Sequence, residues 1–299
     1  MTASQHQSVL LEEVIDWLAP QPGQAFVDGT LGGGGHTRAL VERVGGSGLV
    51  VALDRDPAAI DRAAKDLAGL PIKLAQHNFC ELPEVLQEIE LTGVDGILLD
   101  LGLSSDQLAD RERGFSFNAD GPLDLRFDPS EGEPASRLVN RLSAERLAEI
   151  IFHFGEERFS RRIAQAIVER RRDQPIRTSG ELADLIRRAA PSAPRGQRER
   201  IDPATRTFQA LRIAVNEELK SLEIALRRMP DCLKPGGRLV VISFHSLEDR
   251  RVKEAFRDDP RYRVLTRKPV RPTEAEMARN PRSRSAKLRV AEKIAASGK

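Results

Sequence analysis

Apolar and polar positions along this chain follow two periods. Val9, Leu10, Val14, Trp17 and Leu18 recur at helical spacing behind Ser8, which reads as an N-cap, and Pro20 ends the run. Short, nearly unbroken apolar runs then alternate with helical patterns. Strands are predicted over 25–28, 49–54, 72–76 and 94–100, with helices over 36–44, 57–67 and 82–89. Apolar strands that alternate with helices predict a Rossmann-like α/β fold, its mostly parallel sheet covered on both faces.

The rhythm breaks after Asp100. Glycines and prolines crowd 104–136, which reads as a long ordered loop, and 143–190 is helical and arginine-rich, with Thr178 and Glu181 as a capping box. Asp202-Pro203 opens a helix predicted to run to about 228. Lys234-Pro235-Gly236-Gly237 then turns into a strand over 238–244, and 262–266 and 287–291 read as closing strands joined by a basic loop. We therefore expect an inserted helical domain over 105–205, between halves 1–104 and 206–299 of one α/β domain.

Composition adds an asymmetry. The net charge of +2 conceals −14 over 1–136 (9 basic against 23 acidic), +7 over 137–228 (20 against 13) and +9 over 229–299 (18 against 9). Arginine supplies 38 of the 47 basic residues, and its planar fork suits phosphate. A polyanionic partner and solvated, salt-bridged helix faces are both compatible with this balance. No apolar run nears the roughly 20 residues of a membrane span. The start of the chain has no basic-then-apolar leader, and Cys80 and Cys232 lack metal-ligand spacing. A cytoplasmic protein with reduced structural cysteines and no metal is expected.

The chemistry is concentrated at predicted strand ends. Asp28 is followed by Gly29-Thr30-Leu31-Gly32-Gly33-Gly34-Gly35-His36, a glycine cluster between strand and helix that lets backbone approach a ligand. Asp54 closes the second strand, where a carboxylate accepts both hydroxyls of a ribose. Thr37 stands where the third glycine of the dinucleotide fingerprint belongs, and an acid beside the loop suits a cationic sulfonium better than a pyrophosphate. Phe79 reads as an adenine platform or a core side chain. Asp100 closes the fourth strand ahead of Leu101-Gly102-Leu103-Ser104-Ser105-Asp106-Gln107.

At these residues the chain resembles a known family, that of ribosomal RNA small subunit methyltransferase H. The likeness rests on 6–13, 27–36, 52–57, 95–107, Arg113-Gly114-Phe115-Ser116-Phe117, 120–124, 210–216, Ser243-Phe244-His245-Ser246-Leu247-Glu248-Asp249-Arg250 and 285–289. It implies a class I methyltransferase that uses S-adenosylmethionine to methylate the N4 amine of one cytidine in 16S rRNA, within a partly assembled small subunit. Carried over by position, it also implies cofactor contacts from Gly34, Gly35, His36, Asp54, Phe79, Asp100 and Gln107, and a substrate-recognition role for the insertion.

A cytosine amine is a poor nucleophile, so acceptors on its N–H groups and in-line placement should supply most of the acceleration. Asp100, the carbonyls of 101–104 and the Ser104 and Ser105 hydroxyls are the candidates, and a strong base is not obligatory. His245 is a candidate substrate-side histidine or a helix cap. Asn216 and Arg212, on one helix face, are expected to brace the site. Phe115 and Phe117 either stack on a splayed base or pack their loop. Arg158, Arg161, Arg162, the run Arg170, Arg171 and Arg172, and Arg195, Arg198 and Arg200 are expected to touch phosphates. The competing readings are a nicotinamide-dependent oxidoreductase, a DNA amino-methyltransferase (disfavoured because Asp100-Leu101-Gly102-Leu103 lacks that group's proline-rich motif) and a non-enzymatic RNA-binding module.

Overall fold

The computed structural model describes residues 8–117, 120–190 and 202–295. In chain order its elements are α1 (Leu11–Leu18), β1 (Ala25–Asp28), α2 (Gly35–Val44), β2 (Leu49–Asp54), α3 (Pro57–Asp66), β3 (Ile72–Gln76), α4 (Leu82–Glu88) and β4 (Val94–Asp100). Helices α5 (Ser105–Ala109), α6 (Ala135–Arg141), α7 (Ala144–Gly155), α8 (Ser160–Asp173), α9 (Ser179–Ala189) and α10 (Ala204–Asn216) follow. The chain ends in α11 (Glu218–Cys232), β5 (Leu233–Ser243), α12 (Ser246–Asp258), β6 (Tyr262–Val264), α13 (Glu274–Arg279) and β7 (Lys287–Lys293). Two compact units result: the residues up to Ser105 together with those from Leu219 onward, and Asp106–Glu218 between them.

The first unit holds a seven-stranded sheet in the order β3-β2-β1-β4-β5-β7-β6. β1 to β5 pair in parallel, and β7 runs antiparallel to both of its neighbours. Successive side chains leave a strand on opposite faces, so a strand covered on both sides must be apolar at every position. Val27, Val51, Ile97, Leu99 and Val241 meet α4, α11 and α12 on one face, while Phe26, Val50, Leu98, Val240 and Ile242 meet α1 and α2 on the other. The chain winds outward in opposite directions from β1 and β4, which opens a crevice at their carboxyl ends.

In the second unit α10 lies along α7, close enough that a side chain on Gly155 would strike the Arg206 carbonyl. The helix predicted from 203 to about 228 is two helices, broken at Glu217, whose φ of 49° is left-handed. The break lets Arg212 pair with Glu218 at 2.8 Å. It also moves the return to the α/β unit to 218/219, beyond the expected 205/206. The segment 104–136 is not simply a loop: it carries α5 and a 3-10 turn over Arg111–Arg113, and Asn216 fastens its middle. The Asn216 amide donates to the Leu125 carbonyl at 2.7 Å and accepts from the Phe127 N–H at 2.7 Å. Phe115 is buried, its ring 5.7 Å from that of Phe127, so it packs the loop. Phe117 lies 5.1 Å from Phe208 with the Arg187 guanidinium over its face.

Several local expectations are met. Thr178 and Glu181 form a capping box on α9, and Asp202 accepts the N–H of Ala204 at the start of α10. Others are corrected. Ser8 does not cap α1; Leu10 holds the N-cap with a left-handed backbone and donates its N–H to Glu276 of α13. The Lys234–Gly237 turn lies inside β5, where the register jumps between Leu233 and Arg238. Cys80 and Cys232 are free thiols, and burial pushes Cys232 up to about 11, leaving it protonated and inert. No helix among the described residues is long and apolar enough to cross a membrane.

Replacing Asn216 by Ala strands one N–H and one carbonyl of the 125–127 loop. Stability in urea should fall by roughly 1–3 kcal/mol, and an unchanged midpoint would show that the loop does not depend on this amide.

Candidate active site

β1, β2 and β4 are adjacent and parallel, so Asp28, Asp54 and Asp100 reach the same edge of the sheet. Asp28 is fully buried. One carboxylate oxygen accepts the Thr30 N–H at 3.1 Å, and the other accepts the Thr37 hydroxyl at 2.6 Å. Thr30 in turn accepts the N–H of Asp100 through its hydroxyl, 2.6 Å away. Asp28 therefore fixes the glycine loop at both ends and ties it to β4. Burial raises its carboxyl above the ordinary range, against the pull of His36. The residue read as an acid tolerated beside a sulfonium is thus a structural anchor.

Asp54 acts likewise from β2. Its oxygens accept the N–H of Gly32 at 2.8 Å and of Asp56 at 2.9 Å, and burial pushes its carboxyl up to about 6. The glycines between these acids do separate work. Gly34 has φ 76°, a left-handed conformation that side chains resist, and begins α2 as its N-cap. At Gly35 any side chain would collide with the Ser8 hydroxyl, which is where Ser8 sits instead of capping α1. The first N–H groups of α2 have no partner inside the helix and face this edge.

His36 and Asp100 face each other, with 3.4 Å between Nε2 and Oδ2. Burial alone would lower the histidine's pKa, but Asp100, with Asp28 behind it, outweighs this and raises it. Oδ1 of Asp100 and Nδ1 of His36 are buried without a hydrogen-bond partner among the described residues. Unpaired buried polar atoms are costly, so two in one place call for a ligand. Phe79 begins a short 3-10 turn after β3, half-buried, and its Cβ lies against Gly29. Gln107 is buried on α5 in the other compact unit.

The loop after β4 is held from far along the chain. The Arg282 guanidinium, between α13 and β7, donates to the carbonyls of Leu103 at 2.9 Å and Ser104 at 3.2 Å, and to the Ser105 hydroxyl. Sequence reasoning missed this residue; its only signal was a basic, proline-containing stretch read as a connector. His245 caps α12: its Nδ1 accepts the Glu248 N–H, while Glu248 accepts the N–H of Phe244 and of His245. Asp249 binds Lys287 at 3.0 Å and Arg289 at 2.6 Å, so the 243–250 motif ties α12 to β7. Among the arginines expected to meet phosphate, Arg158, Arg161, Arg162 and Arg172 are exposed. Arg170 and Arg171 donate to carbonyls of their own unit, and Arg195, Arg198 and Arg200 lie outside the described residues. Among the described residues no cluster of His, Cys, Asp or Glu could hold a metal.

Relatives match the chain over nearly its whole length. A ribosomal RNA small subunit methyltransferase H from Thermomicrobium roseum is 51% identical, covering 98% of this chain and 95% of its own. Those of Geotalea uraniireducens and Synechococcus sp. are 51% and 54% identical, covering 98% and 96% of this chain and 100% and 91% of their own. Among solved structures, an rRNA methylase from Streptococcus thermophilus aligns with 96% of this chain and 98% of its own, at 12% identity and a TM-score of 0.46. The model of the MraW methylase family matches residues 3–294, and with that span and these identities the chain belongs to that family.

Proposed function

We propose that this chain transfers a methyl group from S-adenosylmethionine to the N4 amine of a cytidine in 16S rRNA, acting in the cytoplasm on the small ribosomal subunit. The carrying observation is the Asp100 carboxylate, with one oxygen facing His36 and the other unpaired, at the same sheet edge as Asp54 two strands away. These groups fit the cofactor's parts. The amino-acid carboxylate suits His36 and the first N–H groups of α2 behind Gly34 and Gly35. Its ammonium suits Asp100, its ribose hydroxyls suit Asp54, and its adenine suits Phe79. A pyrophosphate would meet three acids here, which disfavours the oxidoreductase.

When bound, S-adenosylmethionine supplies an electrophilic methyl on a cationic sulfonium. The chain's task is to hold the amine in line and exclude water. Asp100 and the backbone of 101–104 are the acceptors for the amine's N–H groups, drawing its lone pair toward the methyl. Ser104 and Ser105 act with Arg282 to fix that backbone. His245 is a positioning residue that caps α12 beyond β5, the neighbour of β4. The inserted unit offers Arg158, Arg161, Arg162 and Arg172 as exposed phosphate contacts, a substrate-recognition role.

Labelled methyl groups should pass from S-adenosylmethionine into small subunits from a strain lacking this protein, and nuclease digestion should place the label on N4-methylcytidine. Label on another nucleoside, or none, would refute the assignment.

Only ionised Asp54 accepts from both ribose hydroxyls. Its raised carboxyl gains a proton as pH falls through about 6. The Asp54 contribution to cofactor affinity should therefore be lost as pH falls, by up to about tenfold per unit below 6. Calorimetry would check this, and Asp54→Asn should bind weakly without the pH step.

Arg282→Ala releases three fixing points of the substrate loop. We expect kcat to drop about a hundredfold, as misplacement by an ångström can cost, while cofactor affinity stays within about threefold. A change confined to cofactor affinity would contradict it.

A further inference from the structure

The segment between β6 and β7 carries a row of cations that the reading above leaves unused. Arg267, Lys268, Arg271, Arg279 and Arg284 are exposed, and none makes an ion pair among the described residues. The segment's acids are Glu274 and Glu276, both in the first turn of α13, and Glu276 is committed to the Leu10 N–H. Uncompensated like charges on a short stretch repel one another, so the arrangement is favourable only beside an anion.

The stretch is also rigid. Val270 and Leu288 exchange backbone hydrogen bonds at 2.9 Å in both directions, Pro272, Asn280 and Ser283 are buried, and Arg282 grips the loop after β4. The register then gives a position. Val270 is opposite Leu288, Leu288 opposite Ile242, and Ile242 opposite Asp100. Three inter-strand steps of about 4.8 Å place Val270 roughly 14 Å from Asp100, level with it across the sheet. Lys268 and Arg271 flank Val270 in sequence. Arg284, two residues past Arg282, lies within about 7 Å of it along the backbone.

The geometry points to this segment, 267–284, as a phosphate-binding surface for single-stranded RNA beside the catalytic edge, carried by the α/β unit itself and separate from the helical insertion. It rests on the methyl-transfer reading for its substrate class. Arginine and lysine here position the strand by its phosphates and carry no base specificity. Because the surface and the Asp100 loop share the Arg282 anchor, RNA held by its backbone on one side meets a fixed loop on the other.

The test is the variant Arg267→Gln/Lys268→Gln/Arg271→Gln, beside the charge-retaining Arg267→Lys/Arg271→Lys. Binding of a single-stranded RNA oligonucleotide would be measured across salt concentrations, without cofactor, and KM and kcat on small subunits with it. The glutamine variant should flatten the slope of log affinity against log salt by about 0.7 for each phosphate no longer neutralised and raise KM at least about tenfold. Its kcat, cofactor affinity and melting temperature should match the parent, and the lysine variant should keep slope and KM. An unchanged slope overturns the proposal, as does a KM increase accompanied by a lowered melting temperature or shared by the lysine variant. A flattened slope in a protein that transfers no methyl group would uphold the surface and fault the methyl-transfer reading instead.

Discussion

The buried Asp28 carboxylate is the constraint on which this site depends. Desolvating an acid is costly, and its hydrogen bonds from Thr30 and Thr37 offset that cost only if the glycine loop adopts one conformation. That conformation places Gly34 as the helix N-cap, brings His36 against Asp100, and leaves Gly32 to bond Asp54. A loop of four glycines would otherwise be entropically free. The acid converts glycine's permissiveness into a fixed cradle, and Thr30 passes the constraint to β4 through the Asp100 N–H.

A second constraint enters from the end of the chain. α13 accepts the Leu10 N–H, and Arg282 grips 103–105, so one segment holds both the approach to α1 and the loop after β4. Leu10 takes its left-handed backbone at that junction, and Ser8 closes on Gly35 just before it. The antiparallel β7 makes this possible. It returns the chain along β5, so the segment before it starts at the carboxyl edge where the ligand groups converge.

The central strands, their helices and the acids at their ends were legible in the sequence because each follows from a local rule. An all-apolar run flanked by glycine can hardly be anything but a buried strand, and an acid at its end stands out against it. What escaped depends on distant partners. Nothing near Arg282 announces carbonyls about 180 residues away. The break at Glu217 follows from Asn216 reaching back to Leu125 and Phe127, which no periodicity reports. The serine ahead of α1 had the chemistry of a cap, but a neighbouring glycine and a distant glutamate decided its place. The His245 motif stood out as sequence, yet its side chains are spent on capping α12 and joining it to β7.

The charge asymmetry then acquires a physical logic. The acidic 1–136 segment supplies the carboxylates that suit a cationic cofactor, and Asp28, Asp54 and Asp100 among them close strands. A polyanion approaching that edge would be repelled by it. Cations must therefore come from sequence that folds beside the edge without lining it, and the basic stretch before β7 satisfies this. It reaches the level of Asp100 through the sheet's own register, with hydrogen-bonded strands intervening. Attraction for cofactor and for RNA can coexist at one edge because hydrogen-bonded strands stand between Asp100 and the backbone that carries Lys268 and Arg271.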